Sequence, residues 1–184
     1  MILEFENYKI TPVRIGDAWK ICDLVFANEA RLKRFFPKTL EENLTPTLSQ
    51  LFVEQKLKAF EKREEFLFTL KHSQTRHLAG LIYLKNLDWD NLCGELAYCI
   101  DHRFSQQNLA TKAIEILVSY AFNKVKLETL IIITHKENLP SVKVATSNGF
   151  KRIKSLKQAF TPPGEQALDM ELYELTKSHY HKTF

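Results

Sequence analysis

Cysteine is scarce in this sequence, which has Cys22, Cys93 and Cys99 among its 184 residues. An odd number of cysteines without metal-ligand spacing predicts reduced thiols and argues against a disulfide framework or a metal site. The sequence also has no apolar run near the roughly 20 residues that cross a membrane. The first residues lack the basic and apolar regions of a signal peptide, so we expect a cytoplasmic protein with no membrane partner.

The sequence also lacks a large excess of charge of one sign. It has 26 basic and 22 acidic residues, which give a formal net charge of +4. The two basic segments, 56–63 and 151–157, are more typical of solvated faces than of a nucleic-acid-binding surface. An anionic small molecule is the simpler partner for a mild positive excess. We expect no direct contact with nucleic acid.

Repeats, low-complexity tracts and long flexible linkers are absent from the sequence, so no domain boundary is predicted. Hydrophobic residues make up 45% and charged residues 26% of the chain, which is ordinary for a soluble globular protein. A chain of this length can bury a substantial core. We expect residues 1–184 to form one domain, with residues 176–184 as a polar tail of uncertain order.

The sequence does contain a regular alternation of strand and helix patterns. The predicted strands are 8–13, 66–70, 78–84, 94–100, 130–133 and 168–173. The predicted helices begin near Gly16, Arg31, Pro46 and Ala110, the third with Leu48, Leu51 and Phe52 facing inward. Three antiparallel strands followed by strand, helix and strand predict an α/β fold, with a mixed, mostly antiparallel twisted sheet and helices on both faces. Ligands in such folds bind where adjacent strands separate, here between residues 94–100 and 130–134.

The loop at residues 103–111 leads into the clearest amphipathic helix of the sequence. Its apolar residues recur at spacings of three and four from Ala110 to Ala121. The unpaired N–H groups at the start of such a helix, together with its dipole, favour a phosphate or pyrophosphate. On the residues alone, an ordinary capped helix start is the open alternative.

The segment from Gly94 to Phe150 resembles the core of the GNAT N-acetyltransferases, in particular the Rim-type branch that acetylates the N-termini of ribosomal proteins. Glu95-Leu96-Ala97-Tyr98-Cys99-Ile100 is similar to the Rim-type strand Glu-Ile-Gly-Tyr-Trp-Leu. The loop motif Arg-Gly-x-Gly-x-Ala-Thr matches at Leu109-Ala110-Thr111, while Ser105, Gln106 and Asn108 replace its arginine and two glycines. Asn138-x-x-Ser141 followed by Gly149-Phe150 resembles the family's Asn-x-x-Ser…Gly-Phe signature.

This resemblance implies acetyl-CoA as the donor and a primary amine as the acceptor, most simply a protein or peptide N-terminus that attacks the thioester directly. It also implies a homodimer as a possible assembly. By the family's pattern, the coenzyme A pyrophosphate would be held by the loop residues Ser105, Gln106, Gln107, Asn108, Leu109, Ala110 and Thr111. The pantetheine arm would contact the strand residues Tyr98, Cys99 and Ile100, and also Asn138 and Ser141.

The missing glycines matter because glycine permits a positive φ and a close approach of the backbone to phosphates. Asparagine is the next most tolerant residue in that conformation, so Asn108 is a mild departure from the motif. The side chain of Gln106 must point away from the ligand. Ser105 removes a cation but retains a hydrogen-bond donor.

Glu95 is the candidate general base, at the position of the base glutamate in several GNAT enzymes. On a strand it shares a face with small, weakly polar residues, and partial desolvation there would strengthen it as a base. A solvent-facing or salt-bridged carboxylate is the alternative. No general acid is evident, because Ala145 stands where many family members have tyrosine. Tyr98, His135 and Cys99 are weaker candidates, for which packing or other structural roles are favoured.

The segment Arg31–Pro37 resembles the basic and aromatic segment beside the acceptor cleft of Rim-type enzymes, with ordinary packing of Phe35 and Phe36 as the alternative. Two other functions stay open at this point. One is N-acetylation of a small amine, such as a polyamine, an antibiotic or an amino acid. The other is a degenerate, non-catalytic module that binds acyl-CoA or serves in interactions.

Overall fold

The computed structural model describes residues 2–105 and 107–183, and in them eight strands form one sheet. The strands are β1 (Leu3–Phe5), β2 (Tyr8–Pro12), β3 (Phe66–His72), β4 (Leu78–Asp88), β5 (Cys93–Ile100), β6 (Thr129–Thr134), β7 (Lys151–Phe160) and β8 (Leu168–Thr176). Their order in the sheet is β1-β2-β3-β4-β5-β6-β8-β7. The β5–β6 pair is parallel, whereas β1–β2, β2–β3, β6–β8 and β7–β8 are antiparallel. The predicted mixed, mostly antiparallel sheet is confirmed.

Helices form near the predicted starts at Gly16, Arg31, Pro46 and Ala110, and residues 177–183, expected as part of a polar tail, also form a helix. The helices are α1 (Ala18–Ala27), α2 (Glu29–Phe35), α3 (Pro37–Glu41), α4 (Pro46–Glu61), α5 (Leu109–Tyr120), α6 (Leu139–Ser147) and α7 (Lys177–Thr183). Thr45 caps α4 as predicted, because its hydroxyl accepts a hydrogen bond from the N–H of Leu48 at 3.2 Å. None of the described helices combines the length and the apolar composition of a membrane span.

The chain folds into two compact units. The first comprises Met1–Tyr83, Tyr98–Leu109 and Pro162–Gly164, and the second comprises Leu84–Ala97, Ala110–Thr161 and Glu165–Phe184.

In the first unit, the inward face of α4 differs from the prediction. Leu48 and Leu51 are 39% and 50% exposed, whereas Ser49 and Phe52 are buried. The prediction was wrong for the two leucines because it assigned the face by apolar residues alone. The buried face instead includes the small Ser49 and continues to Lys56, whose ammonium lies 5.2 Å from the centre of the Phe52 ring.

In the second unit, the amphipathic face of α5 is confirmed. Its inward residues are fully or almost fully buried: Ala113, Ile114, Leu117 and Val118. The apolar run of β6 predicted a strand covered on both faces, but its burial alternates, with Leu130 and Ile132 buried and Ile131 only partly so.

The strand β7 was missed by the sequence reasoning, which treated its first half as a solvated basic segment. The strand lies at the edge of the sheet, and most of its side chains are exposed. Charged cross-strand pairs fix it to β8, such as Lys157 Nζ with Asp169 Oδ2 at 2.6 Å. An edge strand exposed on both faces needs no apolar alternation, so its sequence gives no period-two signal.

Candidate active site

The loop between β5 and α5 begins at Asp101, a carboxylate with no exposed surface. The N–H of Asp101 donates to the carbonyl of Ala79 at 2.9 Å, which extends the strand contact by one residue. Its Oδ1 accepts from the backbone N–H of Arg103 at 3.0 Å, and its Oδ2 accepts from Arg103 Nε at 3.0 Å. Asp101 therefore caps the 3-10 turn His102–Phe104 and also binds a side chain within it.

The charge of Asp101 is compensated within the turn. Burial alone would raise the pKa of this carboxyl group, but the side-chain and backbone hydrogen bonds from Arg103 outweigh burial, so the pKa is lowered. The residue is a buried anion that holds the start of the loop. Nothing in the sequence pattern distinguished Asp101 from an ordinary residue at the end of a strand.

A second element fixes the same turn. Asn28 follows α1 and is buried, and its Oδ1 accepts from the backbone N–H of His102 at 2.9 Å. The His102 Nδ1 lies 3.3 Å from the same oxygen and 3.3 Å from Asp101 Oδ1. Asn28 Nδ2 donates to the carbonyl of Leu24 at 2.8 Å, so both ends of the amide are used.

The backbone of Asn108 adopts the left-handed conformation that a glycine would otherwise supply, with φ 59°. Helix α5 begins at the next residue, Leu109, which is buried. Asn108 therefore has the backbone conformation for which asparagine is the next most tolerant residue after glycine. A residue with positive φ thus precedes α5, as a glycine would in the family's loop motif.

Two other loop side chains, those of Ser105 and Gln107, are engaged inside the loop and against β2. The Ser105 hydroxyl donates to the carbonyl of His102 at 2.6 Å, so the donor retained there is already used. The Gln107 Oε1 accepts from the hydroxyl of Tyr8 at 3.0 Å. Gln106, named above as a cofactor-binding residue, lies outside the described residues.

Helices α5 and α6 are joined through Asn148. This buried amide donates from Nδ2 to the carbonyl of Thr111 at 3.2 Å and to that of Val144 at 2.9 Å. Gly149, just after α6, has the left-handed conformation typical of a helix end, with φ 79°. Asn148 therefore holds the first turn of α5 through the Thr111 carbonyl. The sequence Asn148-Gly149 indicates a turn and gives no sign of this contact.

Glu95 marks the end of the parallel pairing between β5 and β6. The paired residues are Cys93 with Thr129, Gly94 with Leu130 and Glu95 with Ile131. Within the same unit, β6 continues to Thr134 and β5 continues to Ala97 without further pairs between described residues of the two strands. Glu95 thus lies at the point where the parallel ladder ends.

The carboxylate of Glu95 is held by two residues of β4. Its Oε2 accepts from Asn86 Nδ2 at 2.7 Å, and its Oε1 lies 3.3 Å from Lys85 Nζ. The backbone of Asn86 is left-handed inside a strand, with φ 48°. Glu95 is 8% exposed, so it is not a solvent-facing carboxylate. Its contact with Lys85 is the salt bridge that the sequence left open as an alternative. A carboxylate has about four acceptor sites, and these two contacts leave room for another donor.

Asn138 stands at the N-cap of α6, yet its side chain makes no capping hydrogen bond to the described residues of that helix. Its side chain therefore does not have the ordinary structural role of an N-cap residue. Ser141 lies in the first turn of the same helix and is half-buried. Ala145, at the position of the family's tyrosine, is fully buried.

Cys99 lies on β5 and is buried, and burial raises the pKa of its thiol to about 12. A thiol with this pKa is protonated near neutrality and is a poor nucleophile, which agrees with a packing role. Its strand neighbours Tyr98 and Ile100 are half-buried. The ring of His135 is buried after β6, and its Nδ1 lies 3.4 Å from the backbone N of Glu137, a weak contact at most.

The basic and aromatic segment forms α2 and the start of α3, since Pro37 ends one helix and occupies the first turn of the next. Phe36 stacks on Tyr83 at 6.4 Å between ring centres. The Tyr83 hydroxyl pairs with Thr39 Oγ1 at 3.0 Å, and burial raises its pKa well above the ordinary value. Among the residues that the structure describes, no group of histidine, cysteine, aspartate and glutamate is arranged to hold a metal ion.

These features lie in a chain whose residues 8–151 match the acetyltransferase (GNAT) domain. The chain therefore belongs to the GNAT acetyltransferase family, whose members use acetyl-CoA.

The similar proteins are consistent with this assignment. An N-acetyltransferase of Bacillus licheniformis, named uncharacterized N-acetyltransferase p20, is 22% identical over 113 residues, 61% of this chain and 63% of that protein. The match thus spans less than two thirds of that relative's length.

Two solved structures share the fold. The ribosomal-protein-S5-alanine acetyltransferase of Vibrio fischeri has a TM-score of 0.90 at 18% identity, covering 98% of each chain. The ribosomal L7/L12 α-N-protein acetyltransferase RimL, solved in complex with coenzyme A, has a TM-score of 0.87 at 16% identity. That likeness covers 96% of this chain and 98% of RimL. At these identities the likeness shows the fold.

Proposed function

We propose that this chain transfers the acetyl group of acetyl-CoA to a primary amine, with the N-terminal amine of a protein as acceptor. The observation that carries the proposal is the end of the β5–β6 pairing at Glu95 and Ile131, inside a GNAT domain. As far as Ala97 and Thr134, β5 and β6 make no further pairs with each other among the described residues, and an extended ligand arm can bond to the edges of strands that separate. A buried carboxylate stands at the same position.

The donor end of the proposed site is the loop into α5. A left-handed residue directly before a helix turns the backbone so that the first N–H groups of the helix face outward, which suits a pyrophosphate. Asn108 supplies that conformation, and the buried Leu109 fixes the start of the helix. The backbone of residues Ser105 to Thr111 would hold the pyrophosphate. Tyr98, Cys99 and Ile100 on β5 would hold the arm.

The pantetheine arm would also meet the start of α6. Asn138 contributes an amide that does not cap its own helix. Ser141 follows in the first turn, on a helix that is joined to α5 through Asn148. Fixed polar groups on a helix are suited to positioning a thioester for attack.

Glu95 is the proposed general base. The incoming amine must be neutral when it attacks the thioester carbonyl, and its second proton must leave as the tetrahedral intermediate forms. Glu95 accepts that proton, while Lys85 and Asn86 fix the orientation of its carboxylate. The C–N bond forms as the amine adds to the thioester carbonyl. The tetrahedral intermediate then breaks its C–S bond, and coenzyme A leaves as a thiolate that takes a proton from solvent.

The surface charge of α2 favours a peptide over a polyamine. Arg31, Lys33 and Arg34 are exposed on this helix. A cationic polyamine would be repelled by such a surface, whereas a peptide with acidic side chains near its N-terminus would be attracted. By their names, two acetyltransferases with the same fold act on ribosomal proteins, one on an alanine of S5 and the other as an α-N-protein acetyltransferase of L7/L12. These points support the N-terminal amine as acceptor.

A transfer assay tests the proposal. The protein is incubated with acetyl-CoA and four acceptors: an acidic peptide with a free N-terminus, a basic peptide with a free N-terminus, an N-terminally blocked peptide that contains lysine, and spermidine. Mass spectrometry locates the added acetyl group. We expect the acetyl group on the free α-amine, with faster transfer to the acidic peptide. Acetylation of spermidine alone would contradict the acceptor class, and no transfer to any amine would favour the non-catalytic alternative.

A further inference from the structure

The loop that would hold coenzyme A contains no glycine, yet its described residues are held in place by side-chain hydrogen bonds on either side of position 106. We propose that side-chain hydrogen bonds take over the positioning, with Tyr8 of β2 bonding to Gln107 at one end of the loop, and Asn28 and the loop's own first residue, Asp101, holding the other end. Tyr8 and Gln107 are thus positioning residues for acetyl-CoA. This inference rests on the proposed function.

The anchor nearest α5 is the contact of Tyr8 with Gln107. The Tyr8 hydroxyl donates to Gln107 Oε1 at 3.0 Å, across 99 positions of sequence. Tyr8 is 7% exposed, and burial raises the pKa of its hydroxyl, so it is a donor throughout the neutral range. Its ring also lies edge-on to Phe104 at 6.3 Å and to His72 at 5.3 Å. A single buried tyrosine therefore touches the loop at two residues.

This contact determines where the Gln107 side chain points. Gln107 precedes Asn108, the residue with the left-handed backbone. When the Gln107 amide is bonded to β2, it is held away from the first N–H groups of α5, which then remain accessible to an anion. Without the bond, an exposed glutamine has several rotamers, and its amide can bond to those same groups.

The second anchor lies where the loop leaves β5. Asp101 caps the 3-10 turn and binds Arg103, and Asn28 Oδ1 accepts from the His102 N–H at 2.9 Å. The side chains of Asp101 and Asn28, which are 0% and 4% exposed, thus fix the turn. Buried polar groups that are satisfied in this way are rigid because breaking one bond leaves a desolvated partner.

The two anchors explain how the loop can dispense with the motif glycines. Glycine permits an unusual backbone but does not enforce it, since it has the largest conformational freedom of any residue. Asn108 is the only positive-φ residue among the described loop residues, and side-chain bonds at His102, Arg103 and Gln107 restrict the described residues that precede it. A pre-organised loop loses less conformational entropy on binding, which strengthens affinity.

Tyr8→Phe removes the hydroxyl and keeps the ring contacts, and Gln107→Ala removes the other partner from an exposed position. We expect each variant to weaken acetyl-CoA binding by about three- to tenfold, the effect of one neutral hydrogen bond. We expect turnover at saturating acetyl-CoA to change less than about twofold, because neither group touches the reacting atoms. Binding is measured by calorimetry and turnover by release of the coenzyme A thiol.

Thr11→Val is the matched control. Thr11 lies on the same strand as Tyr8 and pairs through Oγ1 with Thr69 Oγ1 at 3.2 Å, and Thr69 keeps a bond to the Thr11 carbonyl at 3.3 Å. This variant should lower the melting temperature without changing acetyl-CoA affinity. The double variant Tyr8→Phe with Gln107→Ala should bind within about twofold of the weaker single variant, because both remove the same bond.

Three results are informative. Weaker binding in both single variants, without further loss in the double variant, supports the inference. Affinity unchanged within twofold in both singles, with wild-type protein that binds, overturns it and leaves the proposed function standing. Wild-type protein that does not bind acetyl-CoA overturns the proposed function and this inference together. If Tyr8→Phe does not fold, Gln107→Ala decides alone, because its side chain is exposed.

Discussion

The role of Glu95 gives the sharpest prediction, because its surroundings allow the base role and the ion-pair role to be separated. Glu95→Gln keeps the shape of the side chain, and the amide oxygen can still accept from Asn86, now 2.7 Å away. What it loses is the charge opposite Lys85 and the ability to take up a proton. A positioned general base contributes roughly 10²- to 10⁴-fold to rate. We therefore expect kcat/KM to fall at least 100-fold, about 2.7 kcal/mol in the transition state.

The expected effect on stability is much smaller. The Lys85 side chain is 34% exposed, so its ammonium can reach water when its partner is neutral. A partly exposed pair of this kind is worth on the order of 1 kcal/mol or less. Glu95→Gln should therefore lower the free energy of unfolding by about 1 kcal/mol while nearly abolishing turnover.

Lys85→Met provides the matched comparison, because it breaks the same ion pair and leaves the carboxylate in place. If Glu95 is the base, this variant retains turnover within about tenfold of the wild type. The assay follows thiol release from acetyl-CoA as a function of pH, with the N-terminal peptide as acceptor. Glu95→Gln should also change the shape of the pH profile. Equal losses in the two variants, or an unchanged profile, would remove Glu95 from the mechanism.

Three further predictions concern the loop and strand. Asn108→Gly should preserve or improve acetyl-CoA affinity, because glycine fits φ 59° at least as well as asparagine. Asn108→Val should weaken binding about tenfold or more, because a β-branched residue is strained in this conformation by on the order of 1–2 kcal/mol. Calorimetric titration of both variants with acetyl-CoA checks this. The Cys99 thiol, with a pKa of about 12, should not be labelled by iodoacetamide at pH 8 in the folded protein. Rapid labelling of this residue, located by mass spectrometry, would contradict its burial. Asp101 has its pKa lowered because the hydrogen bonds from Arg103 outweigh burial, so its stabilising contribution is complete above the ordinary carboxyl pKa of about 3.9 and is lost as pH falls through the lower folded value. Asp101→Asn should therefore be destabilised against urea at pH 7, and the difference from the wild type should shrink near pH 3. A difference that is constant with pH would argue against the charged role of Asp101.

The elements that the sequence predicted are those with a strong local signal. The three- and four-residue spacing along α5 predicted its buried face, and Thr45-Pro46 predicted the start of α4. The left-handed Asn108 followed from comparing one residue with a motif. Each of these depends on residues close together in the chain, where propensity and periodicity act.

The parts that were missed depend on contacts between distant residues. Tyr8 and Gln107 are 99 positions apart, and Asn28 and His102 are 74 apart. Either pair looks like unrelated surface or strand residues until the fold brings them together. The ion pair of Glu95 with Lys85 was open as an alternative, but the hydrogen bond to Glu95 from Asn86, a residue with a left-handed backbone in β4, was not predicted. Local patterns carry no information about such partners.

Binding of acetyl-CoA by a GNAT loop without the motif glycines can be measured by calorimetric titration of the wild-type protein. We predict saturable binding at one site per chain, in the micromolar to sub-millimolar range, that free coenzyme A competes for. Heats that show no binding at millimolar acetyl-CoA would contradict acetyl-CoA binding by this loop.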